Sequence, residues 1–219
     1  MTWGVDGKED EVVMTDVFGQ SAFDFPVGGC VVPGIGGRTD VWFEEYPALT
    51  HLNLRGNLED TGFTASVTGI LGIAPPGVPN RVARTSDTCL HWLSLDEWLI
   101  VSTLSAAPIE KALAASLAGP HYALVNLSGG QTVLRIGGVR ARDILASDCT
   151  LDFHPHVFRH DHCRQSQLAG APVLIRRVEE LDDIAFDLII RRSFCRHLFD
   201  WLTDAERETG YILRAPKCE

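Results

Sequence analysis

The chain has 219 residues, 45% apolar and 22% charged, enough to bury a core as one large domain or two small ones. Nineteen Lys and Arg against twenty-nine Asp and Glu leave a formal charge of −10, and no segment gathers the basic stripe that neutralises phosphates, so nucleic acid is excluded as an expected partner. Six cysteines without a CxxC pair, an N-terminus lacking a signal-like apolar run, and no stretch long enough to cross a bilayer point to a reduced, cytoplasmic protein away from membranes.

Residues 1–50 combine an acidic start, the Gly- and Pro-rich FPVGGCVVPGIGGRTD and the aromatic VWFEEYPAL, a composition that reads as an irregular N-terminal arm. From His51 the pattern is regular. HLNLRG is a strand, and Gly62 to Leu71 is a helix capped by Asp60 or Thr61. CLHWLS and EWLIVST are strands with Leu-Asp between them, Pro108 to Ala118 is a helix stopped by Gly119-Pro120, and HYALVNLS is the next strand.

Residues 51–128 thus follow a β-α-β-β-α-β order, the ferredoxin-like arrangement in which two helices cover one face of an antiparallel sheet. Residues 129–219 make a second block. Gly129-Gly130 suits a tight hairpin turn, QTVLRIGG is a strand, and VRARDILAS is a short helix with Val139, Ile144 and Leu145 facing inward. CRQSQLAG and APVLIRRVE form a hairpin, DIAFDLIIRR a further strand, and Ser193 to Glu206 a helix with Phe194, Leu198, Trp201, Leu202 and Ala205 on one face. The fold class is α+β, built as two ferredoxin-like βαββαβ-type blocks.

Several segments invite a chemical reading. FHPHVFRHDHC, Phe153 to Cys163, holds four histidines and a cysteine, the ligand types zinc prefers. Pro155 interrupts the first His-x-His and no second segment contributes a ligand, so a solvated loop is the expectation and no metal site is assigned. PGIGGR at 33–38 lacks the helix that would complete a phosphate loop, and Ser128-Gly129-Gly130 lacks the G-x-S-x-G of a nucleophile elbow. Asp96-Glu97 reads as a surface turn. The arginines at 135, 140, 142, 176, 177, 191 and 192 sit in apolar patterns and read as solvated ends of strands and helices.

A set of longer stretches carries a likeness: LNLRG at 52–56, LHWLSLDEWLIVS at 90–102, VNLSGGQTVLRIGGVRARDIL at 125–145, LDFHP at 151–155, QLAGAPVLIRR at 167–177 and FDLIIRRSFCRHLFDWL at 186–202. In this order they resemble the gamma subunit of heterotetrameric sarcosine oxidase. The resemblance implies a fold similar to the folate-binding aminomethyltransferases of glycine cleavage. It also implies membership in a complex that demethylates sarcosine to glycine, makes hydrogen peroxide, and passes the one-carbon unit to tetrahydrofolate or releases it as formaldehyde. In such a complex FAD, FMN and NAD belong to the alpha and beta subunits and zinc to delta. The gamma chain is noncatalytic, carries no cofactor and packs directly on alpha. The small subunit of a related secondary-amine dehydrogenase, such as the N-methylglutamate enzyme, is similar.

On this reading the expected interface residues are Trp42, Phe43 and Tyr46 on the arm, with Arg191, Arg192 and Ser193 at the entry to the last helix. Two other readings stand beside it. A folate-binding or aminomethyl-transferring enzyme would need a carboxylate in a central cavity, with Asp187 or Asp143 the nearest supply. A metal-binding module would use the histidine loop.

Overall fold

The structure, a computed structural model, describes residues 21–215 apart from 24, 27, 36, 47, 181 and 182. Two strands come first, β1 (Cys30–Pro33) and β2 (Val41–Tyr46). Then follow β3 (Thr50–Gly56), α1 (Thr61–Leu71), β4 (Val82–Arg84), β5 (Thr88–Ser94), β6 (Glu97–Ser102), α2 (Ala106–Ser116) and β7 (Tyr122–Asn126). The rest comprises β8 (Gln131–Gly137), α3 (Ala141–Asp148), β9 (Cys163–Leu168), β10 (Ala171–Glu180), β11 (Asp183–Arg191), a single 3₁₀ turn, α4 (Cys195–Ala205) and β12 (Gly210–Leu213).

Local chemistry accounts for the clearest elements. Asp60 Oδ1 accepts from the Gly62 and Phe63 amides at 2.8 and 3.1 Å, satisfying two of the amides a helix start leaves unpaired. Phe63, Val67 and Leu71, four residues apart, put one stripe of α1 into the core, and Gly72 at φ 70° ends the helix as a left-handed cap. The run WLIV in β6 is apolar throughout because both faces of its sheet are covered: Trp98 and Ile100 face helices, Leu99 and Val101 face the other sheet.

The molecule has four layers. α1 and α2 pack on the outer face of a five-stranded sheet, ordered β4-β5-β6-β3-β7. α3 and α4 pack on the outer face of a seven-stranded sheet, ordered β1-β12-β2-β8-β11-β10-β9. The two inner faces meet through Tyr46, Leu99, Val101, Val133, Leu174 and Ile189. Both blocks run β-α-β-β-β-α-β along the chain, and their sheets share one strand order except that β2 is inserted between β8 and β12 and β1 is added beyond β12.

That insertion corrects the expectation of an irregular arm. Val41 to Tyr46 are all buried; β2 pairs antiparallel with β8 and parallel with β12. Trp42 lies flat over Gly137, where a Cβ would meet its Cζ2 at 2.1 Å, and the Arg214 guanidinium stacks on its other side, 3.4 Å from the ring centroid. The strand contains two consecutive glutamates. Both are buried: Glu44 accepts from Tyr46 Oη at 2.8 Å, and Glu45 accepts from the Ala22 amide at 2.7 Å and from the Ser21 hydroxyl. Phe23 and Phe25 are likewise packed, both against Phe199.

Three further expectations change. Gly129-Gly130 is a turn but not a hairpin: β7 pairs with β3 and β8 with β2 and β11, so the turn carries the chain from one sheet to the other. Val139 is 76% exposed rather than inward, because it precedes α3 and only Ala141, Ile144 and Leu145 of that segment reach the core. Ala205 is exposed, and the buried stripe of α4 is Cys195, Leu198 and Leu202. Among the described residues no helix is long and apolar enough to cross a membrane.

Candidate functional site

Each strand of the large sheet turns alternate side chains away from the helices, and on four neighbours the residue in register is charged. Glu44 on β2 lies opposite Arg135 on β8, Arg135 opposite Asp187 on β11, and Asp187 opposite Arg176 on β10. The row alternates in sign across the inner face. Arg135 donates from Nε to Asp187 Oδ1 at 2.6 Å, and Arg176 donates from Nη2 to Oδ2. Arg135 also stacks on the Tyr46 ring, 4.6 Å from its centroid, while Arg176 Nη1 lies 2.9 Å from Cys89 Sγ in the facing sheet.

Burial alone would raise the Asp187 carboxyl, but the guanidiniums of Arg176 and Arg135 outweigh it and hold it below the usual carboxylate range. Burial first, and then its bond to Glu44, pushes the Tyr46 phenol up although Arg135 opposes this. Both residues keep the protonation states that preserve the row at neutral pH.

Facing the row from β3 and β5 are two buried histidines. His51 Nδ1 lies 3.0 Å from the Leu49 carbonyl oxygen and His91 Nδ1 3.2 Å from that of Leu99. A carbonyl oxygen only accepts, so Nδ1 carries the proton in both rings and Nε2 is a bare lone pair. Neither Nε2 has a hydrogen-bond partner. Burial drives both rings toward neutrality, lowering His51 to about 4 and His91, with Arg176 adding to the effect, to about 3.

Between the sheets His91 and three members of the row, Arg135, Asp187 and Arg176, border a cavity of ≈ 230 Å³. Each wall mixes apolar and polar groups: the large sheet contributes Val133, Ile189, Arg135, Arg176 and Asp187, and the small sheet Val101, Cys89 and His91, with Leu49 beside them. Tyr46, Ser86, Asp87, Ser102 and Thr103 complete its lining. A second cleft, bordered by Asn53, Glu97, Gln131, Gln165 and Arg191, opens between the same sheets and shares Ile189 with the first.

The structure distributes the sequence-derived candidates differently from expectation. Phe43 is fully buried, Trp42 is 5% exposed, and Tyr46 borders the cavity, so these three have almost no surface to offer a partner. Arg191 and Ser193 are exposed and Arg192 half-buried at the 3₁₀ turn before α4. Asp187 does sit in a central cavity, whereas Asp143 is exposed on α3. Arg135 and Arg176, expected at solvated strand ends, are buried between the sheets because each shares the Asp187 carboxylate. Their signal in the sequence was a lone charge inside an apolar run: Arg135 between Leu134 and Ile136, Asp187 between Phe186 and Leu188.

The histidine loop resolves into separate contacts. His154 and His156 rings are 5.2 Å apart, and His162 Nδ1 donates to the Val157 carbonyl at 3.1 Å. Cys163 opens β9 with its thiol beside the Arg81 and Trp92 carbonyls, and burial pushes that thiol up to about 12. Among the described residues no three His, Cys, Asp or Glu side chains are grouped to hold a metal ion. Ser128 is a structural tie, accepting from the His51 amide at 3.0 Å and donating to Asn126 Oδ1 at 2.7 Å. Glu97 is held by Asn53 and Arg55 at 2.7 and 3.0 Å, so it braces two strands and is not part of a loose turn.

This pair of facing sheets with outer helices defines the class. The fold is similar to that of the glycine cleavage system aminomethyltransferase T from Bartonella henselae, with a TM-score of 0.55 and 14% identity over 79% of this chain and 48% of that one. A likeness closer in sequence is found in the heterotetrameric sarcosine oxidase from Corynebacterium sp. U-96, solved in complex with pyrrole 2-carboxylate. A chain of it matches at a TM-score of 0.70 and 28% identity, covering 77% of this chain and 86% of that one.

The chain belongs to the sarcosine oxidase, gamma subunit family, whose model matches residues 55–208. Sarcosine oxidase subunit gamma of Corynebacterium sp. (strain U-96) is 30% identical over 175 residues, 80% of this chain and 83% of the relative. The subunit gamma of an Arthrobacter species is 30% identical over 145 residues, 66% of this chain and 70% of that protein.

Proposed function

We propose that the chain is a noncatalytic gamma subunit of a heterotetrameric oxidase that demethylates sarcosine to glycine, with hydrogen peroxide and a one-carbon unit as the other products. The observation that carries this reading is the fold match to a chain of the Corynebacterium heterotetramer over 86% of that chain. The alpha subunit is the proposed direct neighbour, with beta and delta completing the complex. FAD, FMN, NAD and zinc are assigned to those other subunits, and tetrahydrofolate is the proposed one-carbon acceptor.

The site chemistry supports a scaffold. A folate-dependent transferase needs an available carboxylate, and both oxygens of Asp187 accept from guanidiniums.

Two finer assignments belong to the same reading. The strand orders β5-β6-β3-β7 and, apart from the inserted β2, β10-β11-β8-β12 support two ferredoxin-like blocks, at 51–128 and 129–219. Arg191, Arg192 and Ser193, at the surface before α4, are the proposed contact with alpha.

The test is affinity isolation of the tagged chain from its native cells, read by subunit masses, visible flavin absorbance and sarcosine turnover. A yellow complex of several subunits that oxidises sarcosine is expected. A colourless chain recovered alone would overturn the reading.

A further inference from the structure

The second cleft between the sheets, of ≈ 370 Å³, has an apolar floor and a polar mouth. Leu99, Leu174 and Ile189 are buried in the floor and Leu127 is partly so. Asn53, Glu97, Gln165 and Arg191 stand at the mouth. Glu97 is already satisfied, because one oxygen accepts from Asn53 Nδ2 at 2.7 Å and the other from Arg55 at 3.0 Å. Arg191 is exposed and makes no ion pair among the described residues. The mouth therefore keeps one uncompensated positive charge on a chain of formal charge −10.

Two carboxamides at the mouth are oriented by the bonds of their nitrogens. Asn53 Nδ2 donates to the Glu97 carboxylate and Gln165 Nε2 to the Leu93 carbonyl at 2.8 Å, and both of those partners only accept. Asn53 Oδ1 and Gln165 Oε1 are thereby fixed as acceptors, and neither receives a donor among the described residues. Gln165 is exposed and Asn53 half-buried, so both are reached from solvent. The Gln131 amide oxygen nearby is closed off and takes no part.

Spacing decides what can use these groups. Asn53 lies on β3 and Gln165 is anchored to β5, on either side of β6 and ~10 Å apart, so a single ammonium group cannot meet both acceptors. Roughly three residues of extended chain span that distance. Their backbone of about a dozen non-hydrogen atoms matches ≈ 370 Å³ at ~30 Å³ per water-sized group. An extended peptide also supplies backbone N–H donors, apolar side chains for the floor and, where it carries Asp or Glu, a carboxylate for Arg191.

We propose that this cleft receives an extended acidic segment of the alpha subunit, whose backbone N–H groups donate to Asn53 Oδ1 and Gln165 Oε1 and whose Asp or Glu side chain pairs with Arg191. The inference rests on the reading of this chain as a gamma subunit and adds the form of the contact, in which alpha enters between the sheets. The cleft is continuous with the surface before α4, because Arg191 belongs to both.

The test uses the tagged full chain with p-benzoylphenylalanine substituted for Pro172, which borders the cleft, is exposed and makes none of the proposed bonds. The chain is produced in its native cells, irradiated and isolated for peptide mass spectrometry. A cross-link to one segment of the alpha subunit that contains Asp or Glu is expected. Arg191→Glu changes an exposed side chain without an ion pair, so the fold is retained, and assembly is expected to weaken at least about tenfold in a dilution series of the complex. Reversing the cross-linked acid to Lys should recover most of that loss. A yellow complex with no cross-link from residue 172 to alpha, or with one only to this chain or a second copy, overturns the inference and leaves the gamma-subunit reading standing. Assembly of Arg191→Glu as tight as that of the unsubstituted chain does the same. A chain recovered colourless and alone overturns both.

Discussion

Asp187 lies in register with Arg135 on the adjacent strand and accepts from its Nε at 2.6 Å, so a carboxylate buried to 3% exposure is held between strands by charge. Its other oxygen is held by Arg176 from the opposite side. Removing the anion strands two buried guanidiniums on flanking strands. Asp187→Asn is expected to destabilise the chain by ~3–5 kcal/mol, the usual cost of breaking a buried pair, measured by urea unfolding. Replacing Glu44, Arg135, Asp187 and Arg176 together by apolar residues should cost clearly less than the single change, because the whole row of alternating charge is then removed.

The two buried histidines set a pH dependence with a definite sign. Their folded values, about 4 for His51 and about 3 for His91, lie below the ordinary 6.5, so the unfolded chain binds more protons than the folded one below pH 6.5. Stability should fall on acidification from pH 6.5 toward 4, with a slope of ~1.4 kcal/mol per pH unit for each ring. Denaturant midpoints collected at half-unit steps should show this slope halved in His91→Gln. A flat profile between pH 6.5 and 4.5 would contradict the buried neutral tautomers.

Trp42 packing on Gly137 makes the β2 insertion testable. A Cβ at residue 137 would meet the indole at 2.1 Å, and the ring is also covered by Arg214, so it has little room to give. Gly137→Ala should destabilise by at least ~1–3 kcal/mol through overpacking. A chain beginning at residue 48 lacks β2 and leaves β8 and β12 without their shared neighbour. It is expected to lose cooperative thermal unfolding, seen by near-ultraviolet circular dichroism. A dispensable arm would leave that transition intact.

Asp60 offers a smaller, local effect. Asp60→Ala removes the acceptor for the Gly62 and Phe63 amides and should cost ~1 kcal/mol, whereas Asp60→Ser should recover most of it. Chemical denaturation of the three chains resolves the difference.

Much of the fold was legible because the chemistry that forms it is local. The cap at Asp60, the Phe63-Val67-Leu71 stripe, the Leu95-Asp96 turn and the apolar runs of β6 and β11 each announce themselves within a few residues. The order of elements in both blocks follows from these signals, and the longer stretches carried the family likeness with them. The sequence by itself therefore determined the α+β class and the family.

The tertiary structure decided what the charged residues mean. VWFEEY reads as part of an irregular arm until Glu44 and Glu45 find Tyr46 and Ser21, and Arg135 and Arg176 read as solvated strand ends until register aligns them with Asp187. His51 and His91 stand 40 residues apart and come within electrostatic reach of one another only because β3 and β5 both flank β6. A buried charge or lone pair is tolerable only with its partner in place, and strand register, set by contacts remote in sequence, supplies the partner.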